Sequence, residues 1–154
     1  MIAAENFAVA RADVVTAARA LIGTPYANHQ RLAGPDGGVD CLGLVIMVAW
    51  ITGLKPLSFD INGYSLQPDG SMLGLCDEHL ERIPRAQMRH GDVVVVSWGD
   101  QQARHVGIVA PHSTYAGRTA IIHAYPKQKR VTEHRLVFDS FMRFVAAYKF
   151  RGVA

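Results

Sequence analysis

Several common protein classes need features that this sequence scarcely has. Its 154 residues include only two cysteines, Cys41 and Cys76, and no C-x-x-C pair. That excludes a zinc ribbon and a thioredoxin-type motif. Both cysteines lie in segments that read as apolar helix, where a free thiol behaves as a small hydrophobe, so they are expected to be reduced and unpaired. The longest apolar run, Cys41 to Leu54, is too short to span a bilayer and contains Gly43 and Gly53. No membrane insertion is expected. At the N-terminus no Lys or Arg precedes the first apolar residues, and Glu5 and Asn6 interrupt them. A secretory signal is therefore not expected, and the chain is expected to be made in the cytoplasm. Charge of one sign is also scarce. The net charge is +3 with no long basic run, which argues against a dedicated nucleic-acid surface while tolerating a polyanionic one. Internal repeats and low-complexity segments are absent.

What remains is the composition of one globular domain spanning 1–154, 49% hydrophobic and 19% charged. Residues 11–22 have helical period, with Val14, Val15, Ala18, Leu21 and Ile22 on one face, and Gly23 and Pro25 stop the helix. Residues 23–40 read as a surface loop. Asp40 is a natural N-cap for a second helix, Cys41 to Thr52, that has no polar face and ends at Gly53; such a helix is buried. Residues 54–70 read as loop, and 71–82 as a third helix with Met72, Leu73, Cys76 and Leu80 inward. Strands follow at Val93–Ser97, Arg104–Ala110, Ala120–Tyr125, Arg130–Leu136 and Arg143–Phe150. About five strands with short connections predict antiparallel neighbours, and helices before strands predict an α+β domain. Residues 136–142 are compatible with a turn or a short helix.

Cys41 is the first candidate for chemistry. A lone cysteine on an apolar helix is usually structural, but this one stands in the first turn, directly after the cap. The helix dipole and free N–H groups there favour a thiolate, and the glycine-rich loop ahead is expected to leave the sulfur open to solvent. Cys76, mid-helix, reads as core. A nucleophilic thiol needs a base, and there are seven histidines. His29, His79, His90, His112 and His134 read as solvated. His105 and His123 differ. Alternation puts His105, Gly107 and Val109 on one face of their strand, and His123 shares a face with Ile121 and Tyr125. Gly107 leaves room for a close neighbour, such as the start of the Cys41 helix. If the two strands are adjacent, His105 is the base and His123 orients its far ring nitrogen. A hydrogen-bonded core histidine remains the alternative for each.

Five segments together resemble the NlpC/p-sixty superfamily of papain-like cell-wall cysteine peptidases. They are L-I-G-T-P-Y (Leu21 to Tyr26), D-C-L-G-L-V (Asp40 to Val45), H-G-D-V-V-V-V (His90 to Val96), R-H-V-G-I-V (Arg104 to Val109) and I-I-H-A-Y (Ile121 to Tyr125). Each is weak alone, but their order and spacing fit across about residues 10–150. The likeness is greatest to a branch found with phage tails and gene transfer agents. One departure is Leu42, where the commonest family motif has Ser. The resemblance implies a papain-like fold with N-terminal helices on a mainly antiparallel sheet. It implies a catalytic set of Cys41, His105 and His123, with Tyr26 near the thiol to help hold oxyanion or substrate, and Asp40 as cap only. No metal or cofactor is implied. The implied substrate is a peptidoglycan stem peptide, cut at the D-γ-glutamyl to diamino-acid bond, with phage-like tail proteins as partners. Rival readings are a non-catalytic tail or wall-binding module, an amidase or acyltransferase on another substrate, and, weakest, a metal site of Cys41, His105 and His123.

Overall fold

Local sequence sets the helices. The computed structural model describes residues 8–154, so the expectation built on Glu5 and Asn6 lies outside the described residues. Helix α1, Arg11–Arg19, buries Val14, Val15, Ala17 and Ala18. It ends before the expected residue 22. The chain turns there, with Gly23 at φ 91°, and Ile22, expected inward, is 46% exposed. The segment expected as loop holds a small antiparallel ribbon, β1 (Arg31–Leu32) and β2 (Gly38–Val39). Strands of that length carry no periodic signal.

Helix α2, Cys41–Thr52, is capped as expected. The Asp40 carboxylate accepts the Gly43 N–H at 2.7 Å, and Gly53 ends the helix at φ 75°. Every residue from Cys41 to Ala49 is buried. The last turn emerges, with Ile51 exposed and the Trp50 indole N–H donating to the Phe59 carbonyl. Helix α3, Ser71–His79, stops short of 82 because Leu80 is already extended, and Glu81–Ile83 pair as strand β3.

The remaining strands are β4 (Val93–Trp98), β5 (His105–Pro111), β6 (Thr119–Tyr125), β7 (Arg130–Arg135) and β8 (Met142–Lys149). The main sheet has six strands in the order β3-β8-β4-β5-β6-β7, all antiparallel. The expected five are present within a residue or two, and β3 is added at the edge. Strands β4 to β7 form a meander. Strand β8 then returns to β4 instead of pairing with β7, so the expectation of sequential neighbours fails at that connection. Residues 136–142 make a turn in which the Asp139 carboxylate accepts the Phe141 and Met142 N–H groups.

Alternation divides the sheet into two buried faces. Val93, Val95, Val106, Ile108, Ala110 and Ile122 pack with the helices in one core. Val94, Val96, Val109, Ile121 and Met142 form a smaller core on the other face, flanked by Trp98, Phe138 and Phe144. This is an α+β, papain-like arrangement of helices on a mainly antiparallel sheet. Both cysteines are free and buried. No helix among the described residues is long and apolar enough to cross a membrane.

Candidate active site

The start of α2 meets the start of β5. Cys41 Sγ lies 3.9 Å from the Arg104 carbonyl oxygen, and the Val106 N–H also acts on the sulfur. The thiol therefore meets the backbone immediately before His105. Asp40 organises this junction. Besides capping α2, its buried carboxylate accepts the His29 N–H at 2.7 Å and the Tyr64 hydroxyl. It also lies 3.5 Å from Arg31 Nη1. Arg31 in turn donates to the Tyr64 hydroxyl at 2.9 Å and to Asp60 at 3.2 Å. A cap was legible in the sequence. The polar network around it was not, because its members come from separate loops.

The thiol differs from expectation in two ways. Cys41 is only 2% exposed, and burial, reinforced by the Asp40 charge, pushes its pKa up to about 12. Backbone N–H groups of Val106, Leu42 and Cys41 pull the other way but do not prevail. Desolvation, with the cap's own negative charge added at the same helix end, outweighs the helix-end effect here. The Gly43 and Leu44 N–H groups are used by Asp40, which leaves the Cys41 and Leu42 N–H groups facing the sulfur.

His105 and His123 come together as expected. His105 Nε2 lies 2.6 Å from His123 Nδ1, so this contact leaves His105 Nδ1 as the free ring nitrogen. His105 is 2% exposed and His123 fully buried. Burial and the Arg104 charge hold the His105 pKa down to about 3, and burial drives that of His123 lower still. Gly107 does not receive α2. A Cβ there would lie 2.7 Å from the Ile121 side chain and 3.0 Å from His123 Cβ, so the missing side chain makes room for the β6 pair.

His134, expected to be solvated, is part of the same chain. Its Nε2 lies 2.7 Å from His123 Nε2, and its Nδ1 lies 3.0 Å from the Arg135 carbonyl oxygen. His29 binds the Tyr64 carbonyl through Nε2 and is not in this chain. Alternation puts His134 on the His123 face, because Ile121 pairs with His134 and His123 with Thr132. The only signal in the sequence was that spacing. Aromatic rings close the site. Trp98 sits 4.9 Å from His105, Tyr125 stacks on His123 at 4.7 Å, and Phe141 lies 5.4 Å from Trp98.

Tyr26 is half-buried. Its N–H donates to the Lys129 carbonyl at 2.8 Å, and its backbone bridges to Val39. Burial, then the Cys41 and Asp40 charges, raise its pKa, so the hydroxyl stays protonated and able to donate. Leu42 is buried in the apolar core. The imidazole nitrogens face one another at hydrogen-bond distance, closer than two nitrogens sharing a tetrahedral zinc, roughly 3.3 Å apart. No His, Cys, Asp and Glu cluster suited to a metal occurs among the described residues.

The fold and the junction together define a papain-like α+β protein with a cysteine at a helix start and a histidine pair on the adjoining strands. Among solved structures, the chain is similar to the P60 domain of an antigen from M. avium subspecies paratuberculosis, at 19% identity over 88% of this chain and 92% of that one, TM-score 0.51. It is also similar to the peptidoglycan hydrolase RipB of Mycobacterium tuberculosis, at 20% identity over 88% of this chain and 63% of that one, TM-score 0.56. An N-acetylmuramoyl-L-alanine amidase of Bacteroides uniformis shares 14% identity over 92% of this chain and 98% of that one, TM-score 0.56. At these identities the likeness is one of fold. No protein-family model matches the chain, and no curated protein matches it.

Proposed function

We propose that the chain is a cell-wall hydrolase of the NlpC/p-sixty type, a cysteine peptidase acting on peptidoglycan stem peptides. The observation that carries this reading is the junction itself: the Cys41 sulfur lies against the backbone flanking His105, and the His105 ring is held by His123. The peptidoglycan hydrolase and amidase of like fold support the substrate class. The D-γ-glutamyl to diamino-acid bond, and association with a phage-like tail, rest on the motif resemblance; a purified particle lacking this protein would sink the tail association.

The raised Cys41 and lowered His105 pKa values make the resting pair neutral. Attack of Sγ on the amide carbonyl is then coupled to transfer of the thiol proton to His105 Nδ1. The Cys41 and Leu42 N–H groups and the Tyr26 hydroxyl face the developing oxyanion. The C–N bond breaks, the amine takes the proton from Nδ1, and a thioester remains. Water attacks the thioester, giving its proton to Nδ1. The C–S bond breaks, the carboxylic acid product leaves, and the proton on Nδ1 returns to sulfur.

The test is wild type and Cys41→Ala incubated with diaminopimelate-type peptidoglycan, with products read by mass spectrometry. Peptide fragments from wild type only are expected. Fragments from both proteins, or from neither across several wall chemotypes, would overturn the reading. Release of whole stem peptides from muramic acid would instead identify an amidase.

A further inference from the structure

We propose that His134 is a positioning residue that, with the Arg135 carbonyl, fixes which nitrogen of His105 is the base. The inference rests on Cys41 and His105 being nucleophile and base. The chain runs from His105 Nε2 to His123 Nδ1 at 2.6 Å, from His123 Nε2 to His134 Nε2 at 2.7 Å, and from His134 Nδ1 to the Arg135 oxygen at 3.0 Å.

A carbonyl oxygen only accepts, and a neutral imidazole carries one N–H. His134 must therefore donate from Nδ1 and accept at Nε2. His123 must then donate from Nε2 and accept at Nδ1. His105 must donate from Nε2, which leaves the lone pair on Nδ1, the nitrogen free for Cys41. Any other assignment sets two N–H groups or two lone pairs against each other at one of these contacts. The chain thus has one direction, and it originates in a backbone group that does not titrate.

His134 is the one ring of this chain that is not enclosed, being partly exposed on β7. The groups around His134 are His123 and Tyr125 on β6 and the flanking Glu133 and Arg135 on β7. Arg19 of α1, paired with Glu133, and His112 line the same surface hollow.

The experiment is nitrogen-15 NMR of the histidine rings in the full chain, alongside kcat against pH on peptidoglycan, for wild type, His134→Gln and His134→Leu. In wild type, His105 should be the Nε2–H tautomer and His134 the Nδ1–H tautomer. Gln still accepts from His123 but does not take up a proton. His134→Gln should therefore keep the His105 tautomer and most of kcat. His134→Leu should mix the His105 tautomers and lower kcat roughly tenfold to a hundredfold, the scale of losing an orienting partner. An Nδ1–H tautomer at His105 in wild type would overturn the proposal, as would a Leu variant with unchanged tautomer and kcat. Should His134→Leu fail to fold, the wild-type tautomers and the tautomer and kcat of the Gln variant decide alone. Absence of any hydrolysis by wild type would defeat the proposed function instead, while the ring tautomers would still test the chain.

Discussion

At the residue scale the main feature is a thiol and an imidazole, Cys41 and His105, the proposed nucleophile and base, both of which burial pushes toward the neutral form. Their effects on stability have opposite pH windows. His105 has its folded pKa lowered from 6.5 to about 3. Its contribution is therefore present above pH 6.5 and lost as pH falls from 6.5 toward 3, where the unfolded chain binds the proton more readily. Cys41 has its folded pKa raised from 9.0 to about 12. Its contribution is present below pH 9 and lost as pH rises toward 12. The thermal midpoint should fall in both windows. A flat midpoint between pH 6.5 and 4 would contradict the buried neutral imidazole. Roles within the pair follow from position. His105→Ala should abolish turnover, whereas His123→Ala should leave measurable residual kcat, because the second ring orients the first and takes no proton from substrate. Steady-state kinetics of the two variants check the order, and the reverse order would exchange the roles.

At the scale of elements, the site depends on two strands approaching closely and on one capped helix. Gly107→Ala would drive a Cβ to within 2.7 Å of Ile121 and 3.0 Å of His123. It should destabilise the fold by about 1–3 kcal/mol, measured by denaturant unfolding, and lower kcat by displacing the orienting ring. A surface-like change, within about 0.5 kcal/mol, would mean the β5–β6 contact is looser than described. Asp40 shows how an element boundary becomes part of a site. Its carboxylate caps α2, anchors the His29 backbone and the Tyr64 hydroxyl, and sets the charge beside the thiol. The cap could be read from D-C-L-G-L-V, because capping is local. The Tyr64 and Arg31 partners could not, since residues 54–70 have no periodicity to orient them.

At the scale of the whole molecule, the helices and the sheet are locked by contacts distant in sequence. Arg11 of α1 reaches the fully buried Asp92 at 2.6 Å and also binds the His90 and Ala154 carbonyls. This joins α1 to the turn before β4 and to the C-terminus. Asp92 also accepts the Arg89 N–H at 2.7 Å, so one partner would survive loss of the guanidinium. Arg11→Ala should nonetheless cost roughly 2–4 kcal/mol, because a buried carboxylate loses its counter-charge. Denaturant unfolding measures the cost, and a loss under about 0.5 kcal/mol would show that the pair contributes little.

By itself the sequence determined the α+β class, the capped and buried α2, the strands β4 to β8 to within a residue or two, and the strand faces on which His105 and His123 lie. Each of these is written in a period, a cap or an alternation acting over a few residues. Only the tertiary structure decided that β8 returns to β4, that residues 81–83 form an edge strand, and that Gly107 makes room for His123 instead of α2. It alone showed that Cys41 is buried and neutral, and that His134 extends the histidine pair to a backbone carbonyl. Those outcomes depend on which surfaces meet and how far they exclude water. Desolvation and register across strands are properties of the assembled chain, and no local pattern records them.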